Sequence, residues 1–316
     1  MPRPCHDCPM TSTPHPEELP QDAPLDADAL ARIVRTALDE DLGAAPGRDV
    51  TTQSTIPADA RVSGVVATRE ECVLAGVDAI AETMRQVAER LSLPAPTVTL
   101  EAAEGDLLAP GTVIARLEGP GHVVLIAERT LLNLMSRASG VATHTRRWAD
   151  ALAGTPAKVL DTRKTTPGLR ELEKYAVRMG GGVNKRMGLF DCAMVKDNHV
   201  VAAGSVAAAI ARIHERFPDV PVQVEVEDAA QAAEAIAAGA RFLMLDNMPP
   251  GTMRDLVDSI RAGEQGETGT GKVWLEATGG LTLANVRDVA ETGVDFMSVG
   301  ALTHSSPIVD LGLDLS

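Results

Sequence analysis

Aromatic residues are nearly missing from this 316-residue chain: four Phe, two Trp and one Tyr make 2% of it, although 45% of its residues are hydrophobic. A core must therefore be assembled mainly from Ala, Val, Leu and Ile, which suits helices packed closely on parallel strands. Cysteine is scarce as well. Cys5, Cys8, Cys72 and Cys192 are too few and too scattered for a disulfide framework. Cys5 and Cys8 flank His6 at the spacing of half a zinc site, but no second ligand pair follows nearby. In a stretch so rich in Pro and acids, a disordered tail over residues 1–24 is expected. Positive charge is in deficit too: a formal net charge of −15 argues against general binding to nucleic acid or to an anionic membrane. No apolar run approaches the ~20 residues that span a bilayer, and the first residues lack a secretory apolar stretch. The expectation is a cytoplasmic protein with neither nucleic acid nor membrane as partner.

What the chain does have is order. Its length exceeds one usual compact domain, so two are expected. From residue 25 onward Leu30, Ile33, Val34, Ala37 and Leu38 recur at helical spacing, with Asp26 or Asp28 available as a cap. Residues 62–68, 98–101 and 111–117 read as strands and 77–91 as a helix, a small α+β domain. A long helical pattern covers about 123–153. Beyond it, β-like runs at 158–161, 192–196, 222–226, 242–246, 273–276 and 296–299 alternate with helices. Such βα repetition closes into a barrel or opens into a doubly wound sheet. The triplet Gly180, Gly181, Gly182 is not spaced as a dinucleotide fingerprint, which favours the barrel. Residues 263–271 read as an exposed Gly-rich loop.

Polar and charged residues recur at the C-terminal ends of these runs, where barrel enzymes place their active sites. Arg163 and Lys164 follow the first, Lys196 ends the second, Glu225 lies near the end of the third, and Asp246 ends the fourth. Glu276 and Thr278 belong to the fifth and Gly300 follows the sixth. Between residues 158 and 196 the local charge turns positive, as a polyanion pocket requires. Arginine forks suit carboxylates and lysine suits phosphate, so the mixture fits a substrate carrying both. Arg170, Lys174 and Arg178, beside Glu171 and Glu173, read as a solvated helix face. Glu276 reads as a brace for neighbouring lysines. Glu225 and Asp246 add acid to a basic region, which is favourable only if they meet hydroxyls, a lysine or a metal; ribose and Mg2+ satisfy this together. The run Thr278, Gly279, Gly280, followed by a helix expected from about Thr282, and the run Val299, Gly300, Ala301 offer unobstructed backbone amides for phosphate. Glycine pairs are also ordinary turn formers.

Residues 161–170 (DTRKTTPGLR) and 173–177 (EKYAV) closely resemble the quinolinate phosphoribosyltransferase family, and the match continues through Gly180 to Gly182, residues 184–189 and 196–199. The segments at 225–227, 245–247, 276–280 and 299–301 follow in the family's order, and the resemblance runs from about Leu30 to the end. It implies an α/β fold: an incomplete, six- or seven-stranded α/β barrel over 136–303, with a smaller N-terminal α/β sandwich domain over 25–135 to which 304–316 return. It also implies a homodimer with a shared active site, with a hexamer as the alternative. On the resemblance, Arg163, Arg186 and Lys196 hold the two carboxylates of quinolinate with Thr162 and Lys185 beside them, and Arg129 enters from the partner chain. Lys164 sits between quinolinate and phosphoribosyl pyrophosphate. Glu225 and Asp246 take the ribose hydroxyls and help place Mg2+, the implied cofactor, and Thr278, Gly279, Gly280, Val299, Gly300 and Ala301 receive phosphate. His199 reads equally as a support for Lys196. Lys185 stands where the family commonly has His, and Thr278 where Ser is common.

The implied reaction is a decarboxylating pentosyl transfer of de novo NAD biosynthesis, in which Lys164, Glu225 and Asp246 are the candidate catalytic residues. A related transferase for another heteroaromatic acid is the nearest competing reading. A non-catalytic sensor on the same scaffold is the competing reading from another class, and the presence of both Glu225 and Asp246 weighs against it.

Overall fold

The computed structural model describes residues 23–264 and 271–316, so the Cys5–Cys8 stretch and most of the expected 263–271 loop lie outside the described residues. The chain divides into two compact units. One holds Asp150–Arg163 and Val183–Val299; the other holds the described part of Gln21–Ala149 with Lys164–Gly182 and Gly300–Ser316. The sequence-based segments were 25–135, with 304–316 returning to it, and 136–303, whereas the unit that includes the N-terminal described residues also takes 136–149, 164–182 and 300–303.

The unit that includes the N-terminal described residues is built on a four-stranded antiparallel sheet. Leu311–Leu315 lies beside Arg61–Thr68, followed by Val113–Pro120 and Thr97–Leu100. Helix Ala27–Leu42 begins at Asp26, whose carboxylate accepts from the Ala29 N–H at 2.7 Å. That cap is worth about 1 kcal/mol. Leu30, Ile33, Val34 and Leu38, spaced along one face, are all buried at about 2 kcal/mol each, so packing holds this helix more than capping does. Leu38→Ala is the single change that would loosen it most, because Leu38 is fully buried.

The long helix Gly121–Ala151 and the helix Arg170–Met179 complete this unit's frame. Here one expectation fails. Lys174, expected on a solvated face with Arg170 and Arg178, is buried, and so is the neighbouring Glu173, whose carboxylate receives the Arg137 guanidinium and the Thr166 N–H. The two-residue strands Cys72–Val73 and Leu107–Leu108 were not anticipated; they are too short to carry a periodicity.

The other unit is a six-stranded, wholly parallel sheet. Its order is Lys158–Leu160, Phe296–Ser298, Trp274–Thr278, Phe242–Asp246, Val222–Val226, Ala193–Val195. The first strand in the chain lies beside the last and the others follow in succession, which is the order of a barrel left open between its first and second strands. Val183 forms a parallel bridge to Leu160 on the free side of the first strand. Inside pack Leu160, Val183, Phe242, Met244 and Phe296, with Met194 and Trp274 against them. The Phe242 and Phe296 rings stack at 5.8 Å, so much of the chain's small aromatic complement is spent here.

One polar feature of the first unit carries a pH dependence. Helix Asp78–Leu91 has no side-chain cap from its N-cap residue Val77; the Glu104 carboxylate instead holds the turn that enters the helix, accepting from the N–H groups of Gly76 at 2.9 Å and Val77 at 2.7 Å. Burial pushes the Glu104 carboxyl up to about 7 despite those bonds, Asp78 adds to the rise, and the Tyr175 hydroxyl bonds to the same carboxylate. Above the ordinary value of 4.5 the unfolded chain releases this proton while the folded chain keeps it, so the contribution to stability falls as pH rises toward 7. We expect denaturant unfolding to show a loss of up to about 3 kcal/mol between pH 5 and 8. The Glu104→Gln variant should lose this slope; a variant that keeps the full slope would assign it to other groups.

Candidate active site

The candidate side chains of the barrel unit are brought to one edge by its strands. Asp161, directly after the first strand, is fully buried and accepts from the Asn184 amide at 2.7 Å and the Lys185 N–H at 2.8 Å. This ties the turn carrying Thr162 and Arg163 to the turn carrying Lys185 and Arg186. Burial and the charge of Arg163 hold the Arg186 guanidinium below the usual arginine value. The two guanidiniums repel each other, and a bound anion would ease that repulsion. Arg186 is anchored through the Cys192 carbonyl at 3.0 Å, and burial pushes the Cys192 thiol up to about 11, which removes it as a nucleophile near neutrality.

Lys196, after the second strand, places its ammonium 2.6 Å from the Glu225 carboxylate. His199 accepts the Lys196 N–H through Nδ1 at 3.0 Å and so supports the turn, in line with its structural reading. Glu225 and Asp246 lie at the ends of neighbouring strands. Burial and the Glu225 charge raise the Asp246 carboxyl above its ordinary value, against the lowering effect of an Asn247 hydrogen bond and of Lys196. Two carboxylates in this relation favour a cation or hydroxyl donors between them. Mg2+ takes one or two carboxylates together with phosphate oxygens, and this pair fits such a role; among the described residues no group of three or more His, Cys, Asp or Glu converges as a full protein cage.

Thr278 pairs with Asp246 in register, placing the Thr278–Gly280 run next to the acidic pair. Gly279 has φ +84°, and a Cβ there would sit 2.2 Å from the Asn247 side-chain oxygen. Asn247 itself holds a left-handed backbone, φ 50°, and donates to Asp246 at 2.8 Å. Asn247 therefore positions Asp246 and needs Gly279 to do so, a role the sequence reading missed although it quoted the residue. The helix expected from about Thr282 starts later, at Val286, because Asn285 and Thr282 exchange side-chain and backbone bonds that close a turn first. Val299 follows the sixth strand and donates to the Leu160 carbonyl at 3.0 Å.

Lys185 is placed differently from the other basic residues. It is 6% exposed, and its ammonium meets both oxygens of the fully buried Glu276 at 2.8 and 2.6 Å, above the Phe242 ring. Glu276 thus braces a lysine inside the barrel.

The other unit carries Lys164, Gly300, Ala301 and Arg129. Gly300 leaves room for its neighbours: a Cβ there would meet Lys164 Cδ at 2.8 Å and His304 Nε2 at 3.2 Å. His304, absent from the sequence-based site, thus shares this corner with Lys164; no motif signalled it. Arg129 projects from the long helix with 66% of its side chain exposed.

The family patterns described as quinolinate phosphoribosyl transferase, N-terminal domain, and quinolinate phosphoribosyl transferase, C-terminal domain, match residues 49–139 and 141–314. The chain is similar to the nicotinate-nucleotide pyrophosphorylase (carboxylating) of Mycobacterium leprae, at 43% identity over 91% of this chain and 98% of that protein. It is also similar to the probable enzyme of that name from Bacillus subtilis, at 40% identity over 88% and 90%. In structure it resembles NadC from Streptococcus pyogenes, with a TM-score of 0.84, 32% identity, and coverage of 93% and 99% of the two chains.

The Lys185–Glu276 pair yields a stability prediction. Lys185→Met leaves a buried carboxylate uncompensated and should cost about 3–5 kcal/mol, whereas Lys185→Met with Glu276→Leu should recover most of the loss. Denaturant titration of both variants checks this; a single variant as stable as the parent would mean the ammonium does not serve Glu276.

Proposed function

The chain belongs to the quinolinate phosphoribosyltransferase family, and on that premise we propose how its own residues carry out the reaction: quinolinate and phosphoribosyl pyrophosphate give nicotinate mononucleotide, pyrophosphate and carbon dioxide, a step of de novo NAD biosynthesis. The observation that carries the assignment is the buried Asp161 carboxylate tying the turn of Arg163 to the turn of Arg186, which gathers two cations suited to a rigid dianion.

Arg163, Arg186 and Lys196 hold the quinolinate carboxylates, with Thr162 lining the same turn. Arg129, exposed on its helix, reaches the quinolinate of a second chain, so the working form is a homodimer. Lys164 stands between the two substrates. Glu225 and Asp246 take the ribose hydroxyls, and Thr278 with the amides of Gly279, Gly280, Gly300 and Ala301, and Val299 beside them, receives phosphate. Glu225 and Asp246 would help hold Mg2+, and the chemistry supplied by that cation when bound would be neutralisation of leaving-group charge. The protein functions in the cytoplasm; among the described residues no helix is long and apolar enough to cross a membrane.

In this reading the bond from the ribose anomeric carbon to pyrophosphate breaks while the pyridine nitrogen supplies the new pair of electrons. Glu225 and Asp246 stabilise the oxocarbenium-like charge in between. The ring nitrogen becomes cationic, so the electrons left on the adjacent carbon by departing carbon dioxide are stabilised, and a proton adds there. No protein nucleophile takes part; positioning and preorganised charge do the catalysis.

Two outcomes are expected. Lys164→Ala should lower kcat by about a thousandfold or more, whereas Arg163→Ala should chiefly raise the quinolinate KM, by about a hundredfold, with phosphoribosyl pyrophosphate binding retained. Steady-state kinetics with each substrate varied separates the two, and parent-like constants in both variants would remove these roles. Mixing inactive Arg129→Ala and Lys196→Ala chains should restore part of the activity if sites are shared; absence of rescue after proven subunit exchange contradicts the dimer.

A further inference from the structure

The long helix and the helix Arg170–Met179 place an arginine and a glutamate together in the interior of one unit, and neither belongs to the binding set above. Glu173 is fully buried and the Arg137 side chain is 17% exposed. The Glu173 Oε1 accepts from Arg137 Nε at 2.9 Å and from Nη2 at 2.7 Å, and its Oε2 accepts from the Thr166 N–H at 2.9 Å. Arg137 Nη1 donates to the Ser306 carbonyl and hydroxyl, each at 3.1 Å, and Nη2 to the Thr303 carbonyl. Thr303, also fully buried, shares its hydroxyl proton between the Lys164 carbonyl at 2.9 Å and the Gly300 carbonyl at 3.2 Å.

These bonds close a ring. From the Lys164 carbonyl it runs through Thr303, Arg137 and Glu173 and returns to the Thr166 N–H, so the short segment carrying Lys164 is held at both ends. The same guanidinium holds the segment that follows Gly300, where Lys164 and His304 meet. We propose that Arg137 and Glu173 are a positioning pair for the transfer reaction, fixing the Lys164 backbone against the Gly300–Ser306 segment and thereby aiming the Lys164 ammonium at the anionic cosubstrate. The proposal rests on the functional reading given above.

Three features favour positioning over mere support. A buried ion pair is a poor source of stability, since well-packed apolar residues often serve as well. Arg137 directs its donors to Glu173 and to Thr303 and Ser306, so the pair fixes a loop geometry that an apolar substitute could not specify. The segments so fixed carry residues assigned to the cosubstrate, where a displacement of about 1 Å can cost about a hundredfold in rate.

The test uses the full chain. Thr303→Val removes only the hydroxyl that holds the Lys164 carbonyl, Thr303→Ser restores it, and Glu173→Gln weakens the ring at its charged member. For each variant kcat, the KM of each substrate, the melting temperature and the calorimetric Kd of inorganic pyrophosphate are measured. Thr303→Val should lower kcat by about tenfold and weaken pyrophosphate binding, with the quinolinate KM changed by less than about twofold. Thr303→Ser should return to near parent values, and Glu173→Gln should move in the same direction as Thr303→Val and further. A folded Thr303→Val with parent constants overturns the proposal. So does a lower kcat and melting temperature with every KM and the pyrophosphate Kd unchanged, since that marks a smaller folded fraction. If the parent protein turns over no phosphoribosyl pyrophosphate, the functional reading falls alone and the pyrophosphate series still decides on the pair; a parent that binds no pyrophosphate overturns both.

Discussion

A parallel sheet brings the C-terminal ends of all its strands to one edge, and in this chain that constraint determines where charge can be gathered. Register sets Thr278 against Asp246 and brings the Glu225 strand alongside. The buried Asp161 carboxylate then ties the turn after the first strand to the turn that carries Arg186. Without that register the basic and acidic residues would be spread over a strongly acidic surface, where screening and solvation would leave each of little use.

The two charge groups of the barrel edge are each set against themselves. Arg186 is held below its usual value by burial and by a second arginine, and Asp246 is raised by burial and by a second carboxylate. Lys196 joins them through its short contact with Glu225. Under the proposed function, a ligand that brings carboxylates to the arginines and hydroxyls with a cation to the acids would relieve both repulsions. That pairing of demands describes quinolinate together with phosphoribosyl pyrophosphate better than it describes either alone. The interior pair of Lys185 and Glu276 differs, because each of the two meets an opposite charge inside the barrel.

The barrel and its strand-end residues were legible in the chain because apolar runs ending in a charged residue repeat, and that pattern survives without knowledge of partners. The long-range side-chain pairs were not legible. Lys185 and Glu276 are 91 positions apart, and Arg137 and Glu173 are 36 apart, so no local periodicity links them. A helix of alternating acids and bases therefore read as solvated when its Glu173 and Lys174 are buried. The turn after Gly280 misled for a local reason: Thr282 can cap a helix, but its reciprocal bonds with Asn285 make a turn instead. His304 gave no signal because its relevance comes only from its approach to Gly300 and Lys164.

In the proposed function this arrangement couples pentosyl transfer to loss of a carboxylate. It is tested most directly by incubating the purified protein with quinolinate, phosphoribosyl pyrophosphate and Mg2+ while following nicotinate mononucleotide and carbon dioxide together. Both should appear at equal rates from quinolinate, and nicotinate should not be an acceptor. Product from nicotinate or another heteroaromatic acid, with none from quinolinate, would contradict it.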